Sequence, residues 1–218
     1  MSLRQELAEF IGTFTLVFIG AGAMALAVSG ASPGGLVGVA LAHGLALVVI
    51  VYAWGSVSGA HVNPAVTFGL ALSGRFPWVR ALRYWIAQLL GAVVASYLLL
   101  ILIGRQGDLG MTVPSPSVSV WQAILIEAVL TFFLVTAVFG SAVAGRNGNG
   151  AALAIGLVLT MDILMGGVLT GASMNPARTF GPALAMGDLS ALYIYIVGPL
   201  VGGGLAALLY DRVYLRQP

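Results

Sequence analysis

Long apolar stretches alternate with short polar connectors along this chain. Six of them, near residues 6–28, 35–57, 79–103, 121–144, 151–169 and 190–211, consist almost wholly of apolar and small residues. A helix needs about 20 such residues to cross the hydrocarbon layer of a bilayer. The pattern therefore predicts an all-α membrane protein with six transmembrane helices. Two further apolar runs, 65–72 and 177–186, are too short to cross. The first stretch carries Glu6 and Glu9 and has no Ala-x-Ala-type cleavage site, so it reads as a retained helix rather than a removed signal.

Composition agrees with this pattern. Of the 218 residues, 60% are hydrophobic and 7% charged, where a soluble domain carries about 25% charged residues. The mean hydropathy is +1.03. So few charges exclude a lone soluble domain, a disordered chain and a nucleic-acid-binding surface. All nine basic residues are arginine, and the net charge is only +2. With no cysteine and only His43 and His61, thiolate chemistry is absent and most metal sites lack ligands. Arg4, Arg75, Arg80, Arg83, Arg146, Arg212 and Arg216 fall on one side of a six-span chain, and the connectors 29–35 and 105–117 on the other contribute only Arg105. The positive-inside rule then places both termini in the cytoplasm, and the expected address is the plasma membrane.

The chain repeats itself. The segment Ser58-Gly-Ala-His-Val-Asn-Pro-Ala-Val-Thr67 matches Thr170-Gly-Ala-Ser-Met-Asn-Pro-Ala-Arg-Thr179 at an offset of 112 residues. Upstream, Ala42, Gly44, Leu45 and Leu47 match Ala154, Gly156, Leu157 and Leu159 at the same offset. Glu9, Thr13 and Phe14 pair with Glu127, Thr131 and Phe132, and Tyr84 and Gly91 with Tyr195 and Gly202. The chain reads as one domain, 1–218, built of repeats at about 1–104 and 119–218. Three spans per repeat is an odd number, so the second repeat is inverted, a plan found in transport proteins. Each short apolar run becomes a re-entrant half-helix, tolerated at membrane depth only where it is buried or lines a watery cavity.

Asn is a good N-cap and Pro is favoured at the first helical position, so Asn63-Pro64-Ala65 and Asn175-Pro176-Ala177 each start a half-helix. Inverted symmetry brings the two starts together at mid-membrane. Each carries about +0.5 of an elementary charge from its macrodipole. Two facing positive ends repel cations, and asparagine amides offer donors to a neutral polar molecule, most simply water. Carbonyls of the preceding turns, Gly59-Ala60-His61 and Gly171-Ala172-Ser173, are expected to line the same path. Arg178 is a cation at membrane depth, which costs at least ~2.5 kcal/mol unless it is solvated or paired. The alternatives are an ion-coupled transporter, an intramembrane enzyme and an adhesive protein. The first lacks ionisable residues at the crossing point, the second lacks a catalytic constellation, and the third leaves two polar loops in the bilayer unexplained.

The paired SGAHVNPAVT and TGASMNPARTFGPA, the six spans, and Glu9 and Glu127 in matched first helices closely resemble the aquaporin (major intrinsic protein) family. The resemblance covers essentially the whole chain. It implies a homotetramer with one passive pore per subunit, no cofactor, and water and small neutral solutes as the molecules handled. It places a selectivity filter at His43, Ile163, Ala172 and Arg178, a set similar to that of the plant vacuolar subgroup. Thr179 and Ala183 are of the water type rather than the glycerol type, while Ile196 departs from the Trp frequent there in water channels. Leakage of ammonia, hydrogen peroxide or glycerol is the alternative that Ile163 and Ala172 suggest. Glu9 and Glu127 could form a proton relay; the resemblance makes them acceptors for backbone N–H groups of the re-entrant loops. Asp162 has no repeat partner, and its expected partner is either outer-loop backbone or Arg105. Gly91, Gly198 and Gly202 suit close helix crossings.

Overall fold

A computed structural model describes residues 3–32, 34–145 and 148–215. Arg146 and Arg216, two arginines of the predicted cytoplasmic set, lie outside the described residues. Six helices are long and apolar enough to span: α1 (Arg4–Val28), α2 (Gly35–Ser58), α4 (Trp78–Ile103), α5 (Val120–Val143), α6 (Ala151–Thr170) and α8 (Ile194–Leu215). Two short helices, α3 (Pro64–Leu72) and α7 (Pro176–Met186), follow α2 and α6. The last span begins four residues later than its apolar run, because Asp188 Oδ1 accepts from Ser190 N at 2.9 Å and closes a turn there. The S-x-x-Q pattern Ser119–Gln122 starts α5 as a capping box, Gln122 Oε1 accepting from Ser119 N at 2.9 Å.

The helices pack in equivalent pairs: α1 on α4 and α5 on α8, with α2 against α6 at the centre. Glycine makes these approaches possible. A Cβ on Gly44 would lie 2.7 Å from Gly156 O, and one on Gly156 would lie 2.5 Å from Gly44 O. Gly91 and Gly202 occupy equivalent seams, where a Cβ would overlap the carbonyl oxygens of Phe10 and Ala128. Large apolar side chains such as Leu45, Val49, Ile86, Ile101, Leu157 and Leu205 stay exposed on the outside. Inside are Glu9, Gln88, Glu127, Asp162 and Arg178. The outside is apolar, as lipid solvation requires, and these ionisable and polar side chains are turned inward into a core that is otherwise mostly apolar.

Arg75 Nε donates to Asp211 Oδ1 at 2.7 Å, Arg80 Nη2 donates to Gln5, and Arg83 Nη1 lies 4.0 Å from Glu6 Oε1. The start of α1, the connector before α4, the start of α4 and the end of α8 thus share one face. On the other side, a tight turn at Gln106–Gly110 folds down onto α1. Gly107 and Gly110 have φ of +49° and +67°, and a Cβ on either would overlap a carbonyl of Ala25 or Ala21. The sequence pattern predicted only a plain connector there.

Candidate functional site

Both half-helices begin as their sequences dictate. Asn63 and Asn175 are extended (φ −155° and −145°), and the following proline occupies the first helical position. Asn63 Oδ1 caps Ala65 N at 2.8 Å; Asn175 Oδ1 caps Ala177 N at 3.0 Å and Arg178 N at 3.2 Å. The amide nitrogens reach across the symmetry axis. Asn63 Nδ2 donates to Met174 O at 2.8 Å, and Asn175 Nδ2 donates to Val62 O at 2.9 Å. The two Asn-Pro-Ala motifs are therefore locked together at the centre of the bundle. A side-chain amide carries two N–H donors, so each asparagine keeps a second one, and both residues line the same cavity.

The turns before the asparagines are unusual. Gly59 and Gly171 end α2 and α6 at φ +91° and +82°. Non-glycine residues then enter the left-handed region: Ala60 and Val62 at +48° and +41°, Ala172 and Met174 at +47° and +53°. Such conformations cost of order 1 kcal/mol each and persist only where the surroundings over-determine them. Two carboxylates do so. Glu9 accepts from Ser58 Oγ (2.7 Å), His61 N (2.9 Å), Val62 N (2.7 Å) and Gln88 Nε2 (2.8 Å). Glu127 accepts from Thr170 Oγ1 (2.7 Å), Ser173 N (3.0 Å) and Met174 N (2.7 Å). Tyr84 and Tyr195 complete the pattern by donating to Ser58 O at 2.8 Å and Thr170 O at 2.5 Å.

A cavity of about 600 Å3 runs from Arg75 and Gly55 at the arginine-rich face inward to His43 and Arg178. Gly59, Ala60, His61 and Ser173 border it, as do Leu47, Val66, Leu134 and Leu159. Gly171, Ile163 and Ala172 are not on that wall, and the last two are buried. His61 is wedged among Phe76 and Tyr84, and its Nδ1 bonds Thr67 Oγ1 at 3.1 Å.

Arg178, in the first turn of α7, is buried at 2% exposure. Its Nη1 donates to Gly110 O at 2.7 Å; its Nη2 lies 3.2 Å from Met24 Sδ and 3.4 Å from His43 Nε2. His43 Nδ1 lies 2.9 Å from the carbonyl of Val39. A carbonyl only accepts, so the ring proton sits on Nδ1 and Nε2 is the acceptor for Arg178. Among the described residues Arg178 Nε has no protein acceptor. Asp162 is buried and makes neither of its expected contacts: among the described residues no hydrogen bond or ion pair joins it to Arg105 or to outer-loop backbone.

Several of these contacts escaped the sequence reading. Ser58 and Thr170 stand at the repeat offset, and Tyr84 and Tyr195 are repeat landmarks, so their pairing was legible although their partners were not. Met24, Gly110 and Gly20 carried no such signal. A wide turn at Val17–Ala21 brings Gly20 against the His43 ring, where a Cβ would lie 2.5 Å from Nε2. A serine–threonine chain, Thr112 to Thr179 (2.7 Å), Thr179 to Ser173 (2.7 Å) and Ser173 to Asn175 O (2.9 Å), braces the second turn.

Six spans and two re-entrant half-helices whose capped ends meet beside a largely apolar cavity with polar groups at His43, Asn63, Asn175 and Arg178 define a membrane channel of inverted-repeat design. The chain belongs to the major intrinsic protein family, which matches residues 1–210. It is 46% identical to Aquaporin TIP2-1 of Arabidopsis thaliana over 226 residues, covering 98% of this chain and 88% of that protein. It is 47% identical to Probable aquaporin TIP3-2 of the same plant, covering 98% and 85%. Among solved structures it resembles the aquaglyceroporin from Plasmodium falciparum, with a TM-score of 0.86, 28% identity, and coverage of 97% of this chain and 96% of that one.

Proposed function

We propose that the protein is a passive water channel that excludes protons and ions. The observation that carries this reading is the reciprocal locking of Asn63 and Asn175, each donating to the opposite turn while lining one cavity. A water molecule there meets the remaining amide N–H of each asparagine and turns its oxygen toward them. Its hydrogens then point away along the path, which breaks the hydrogen-bonded relay a proton would follow. Two half-helix ends of about +0.5 each add an electrostatic barrier to cations. His43, Ile163, Ala172 and Arg178 form the filter in this reading. Arg178 supplies a second positive charge and His43 a polar edge, and the turns held by Glu9 and Glu127 supply carbonyls. Ile163 and Ala172 do not border the cavity that ends at His43 and Arg178, and their place in the filter, with the secondary passage of small neutral solutes that two apolar side chains there would allow, rests on the family resemblance.

The family resemblance supports a homotetramer in which each chain has its own pore, and the chain acts as one channel unit from 1 to 218. The arginine-rich face is the cytoplasmic one, with both termini on that side. The plant relatives are TIP aquaporins, which favours an internal, vacuole-type membrane over the plasma membrane. Proteoliposomes containing the protein are expected to swell rapidly under an osmotic gradient while carrying no current under voltage. An ionic or proton current accompanying the water flux would overturn the proposal. Glycerol, ammonia and hydrogen peroxide in the same assay decide the secondary solutes.

A further inference from the structure

Between Gly20 and Ala25, helix α1 carries glycine or alanine at every position but one, Met24. Gly20 and Met24 stand one turn apart, on the same face of the helix. That face meets the two polar side chains at the deep end of the cavity. Gly20 leaves room for the His43 ring, where an added Cβ would lie 2.5 Å from Nε2. Met24 reaches the guanidinium of Arg178, with Sδ 3.2 Å from Nη2. The other anchor of the guanidinium, Gly110 O, belongs to a turn that is itself pressed on α1, since a Cβ on Gly110 would overlap Ala21 O.

The inverted repeat gives a second, independent view of this contact. At the offset that pairs Asn63 with Asn175, Arg178 corresponds to Val66; at the offset that pairs Glu9 with Glu127, Met24 corresponds to Ala142. Val66 and Ala142 both border the cavity, and neither side chain holds a donor or an acceptor. Arg178 and Met24 therefore depart from the repeat together. Where the second half gains a cation, the first helix gains a sulfur that faces it. A thioether is a weak acceptor but a polarizable one, and it shares Arg178 Nη2 with His43 Nε2, which lies 3.4 Å away. The two acceptors belong to different helices, α1 and α2, and a guanidinium held by both sits between them.

We propose that Met24 is a positioning residue of the constriction. Its thioether holds Arg178 Nη2 toward α1 and keeps the guanidinium from closing on the His43 ring, so α1 sets the width of the opening between those two residues. Without the sulfur, His43 Nε2 is the remaining side-chain acceptor for Nη2, and the contact that tightens is the one that narrows the path. This inference rests on the reading of Arg178 as a filter residue.

The test is osmotic swelling of proteoliposomes holding the full chain, with melting temperature read on the same preparations. Met24→Leu conserves volume and apolar packing, a kind of swap that cores tolerate, and removes only the acceptor. It should lower water permeability about threefold, the effect of losing one weak hydrogen bond, with the melt unchanged. Met24→Gln places an amide oxygen at the same reach and should keep the native rate. In an Arg178→Ala background, Met24→Leu should have no further effect, which a merely structural role for Met24 does not produce. A native rate in Met24→Leu overturns the proposal, as does an equal loss in the Leu and Gln variants, or the same threefold loss with Arg178 absent. Arg178→Ala behaving as the native channel would instead defeat the filter reading itself.

Discussion

At the residue scale, the two buried glutamates show what a membrane charge can be used for. Each sits where its oxygens face several donors from a turn that a helix could not satisfy. The sequence placed Glu9 and Glu127 at matched positions. The residues alone left a proton relay open, the family resemblance made both carboxylates acceptors for backbone N–H groups of the re-entrant loops, and the structure places those N–H groups against them. Glu127→Ala removes the acceptor for Thr170 Oγ1, Ser173 N and Met174 N. Buried donors left unpaired cost about 1–3 kcal/mol each. The variant should therefore melt many degrees lower and lose water permeability. A melt and a swelling rate both equal to those of the native chain would refute the anchoring role.

At the element scale, the structure depends on helices approaching until backbone meets backbone. Gly91 and Gly202 were visible in the sequence as repeat landmarks, and close crossing was their expected use. Their partners, the carbonyls of Phe10 and Ala128, are themselves related by the same repeat offset as Glu9 and Glu127. Gly202→Val should force α5 and α8 apart, with an overpacking cost of 1–3 kcal/mol or more in the roughly rigid seam. Gly38→Ala in α2 is the contrasting case. Nothing lies within 4 Å of its added Cβ, and replacing an interior helical glycine by alanine gains about 1 kcal/mol. Thermal unfolding of the two variants should move in opposite directions. The Gln106–Gly110 turn was not legible: Asp108 and Leu109 join Gly107 and Gly110 at positive φ, and the docking on α1 depends on two glycines that look like ordinary connector residues.

At the scale of the whole molecule, charge selectivity comes from the summed field of parts far apart in sequence. The ends of α3 and α7 are joined through Asn63 and Asn175, and Arg178 is held beside them by Gly110 of a connector and Met24 of α1. Arg178→Ala removes one full charge and leaves the two half-helix ends in place. Proton flux or passage of larger neutral solutes through liposomes should rise while water still passes. Selectivity identical to that of the native protein would remove Arg178 from the filter.

What the sequence determined by itself was everything governed by local pattern and internal repetition: the spans, the half-helices, their inverted relation and the asparagine caps. Apolar length, capping chemistry and the parity of three spans act over short stretches and need no knowledge of neighbours. Only the tertiary structure decided which donor meets which acceptor. It turned Nδ2 of each asparagine toward the opposite turn, gave Arg178 a carbonyl, a sulfur and an imidazole as partners, and left Asp162 buried without either expected contact. Those outcomes follow from side-chain directions across packed helices, a three-dimensional quantity that one-dimensional spacing does not contain.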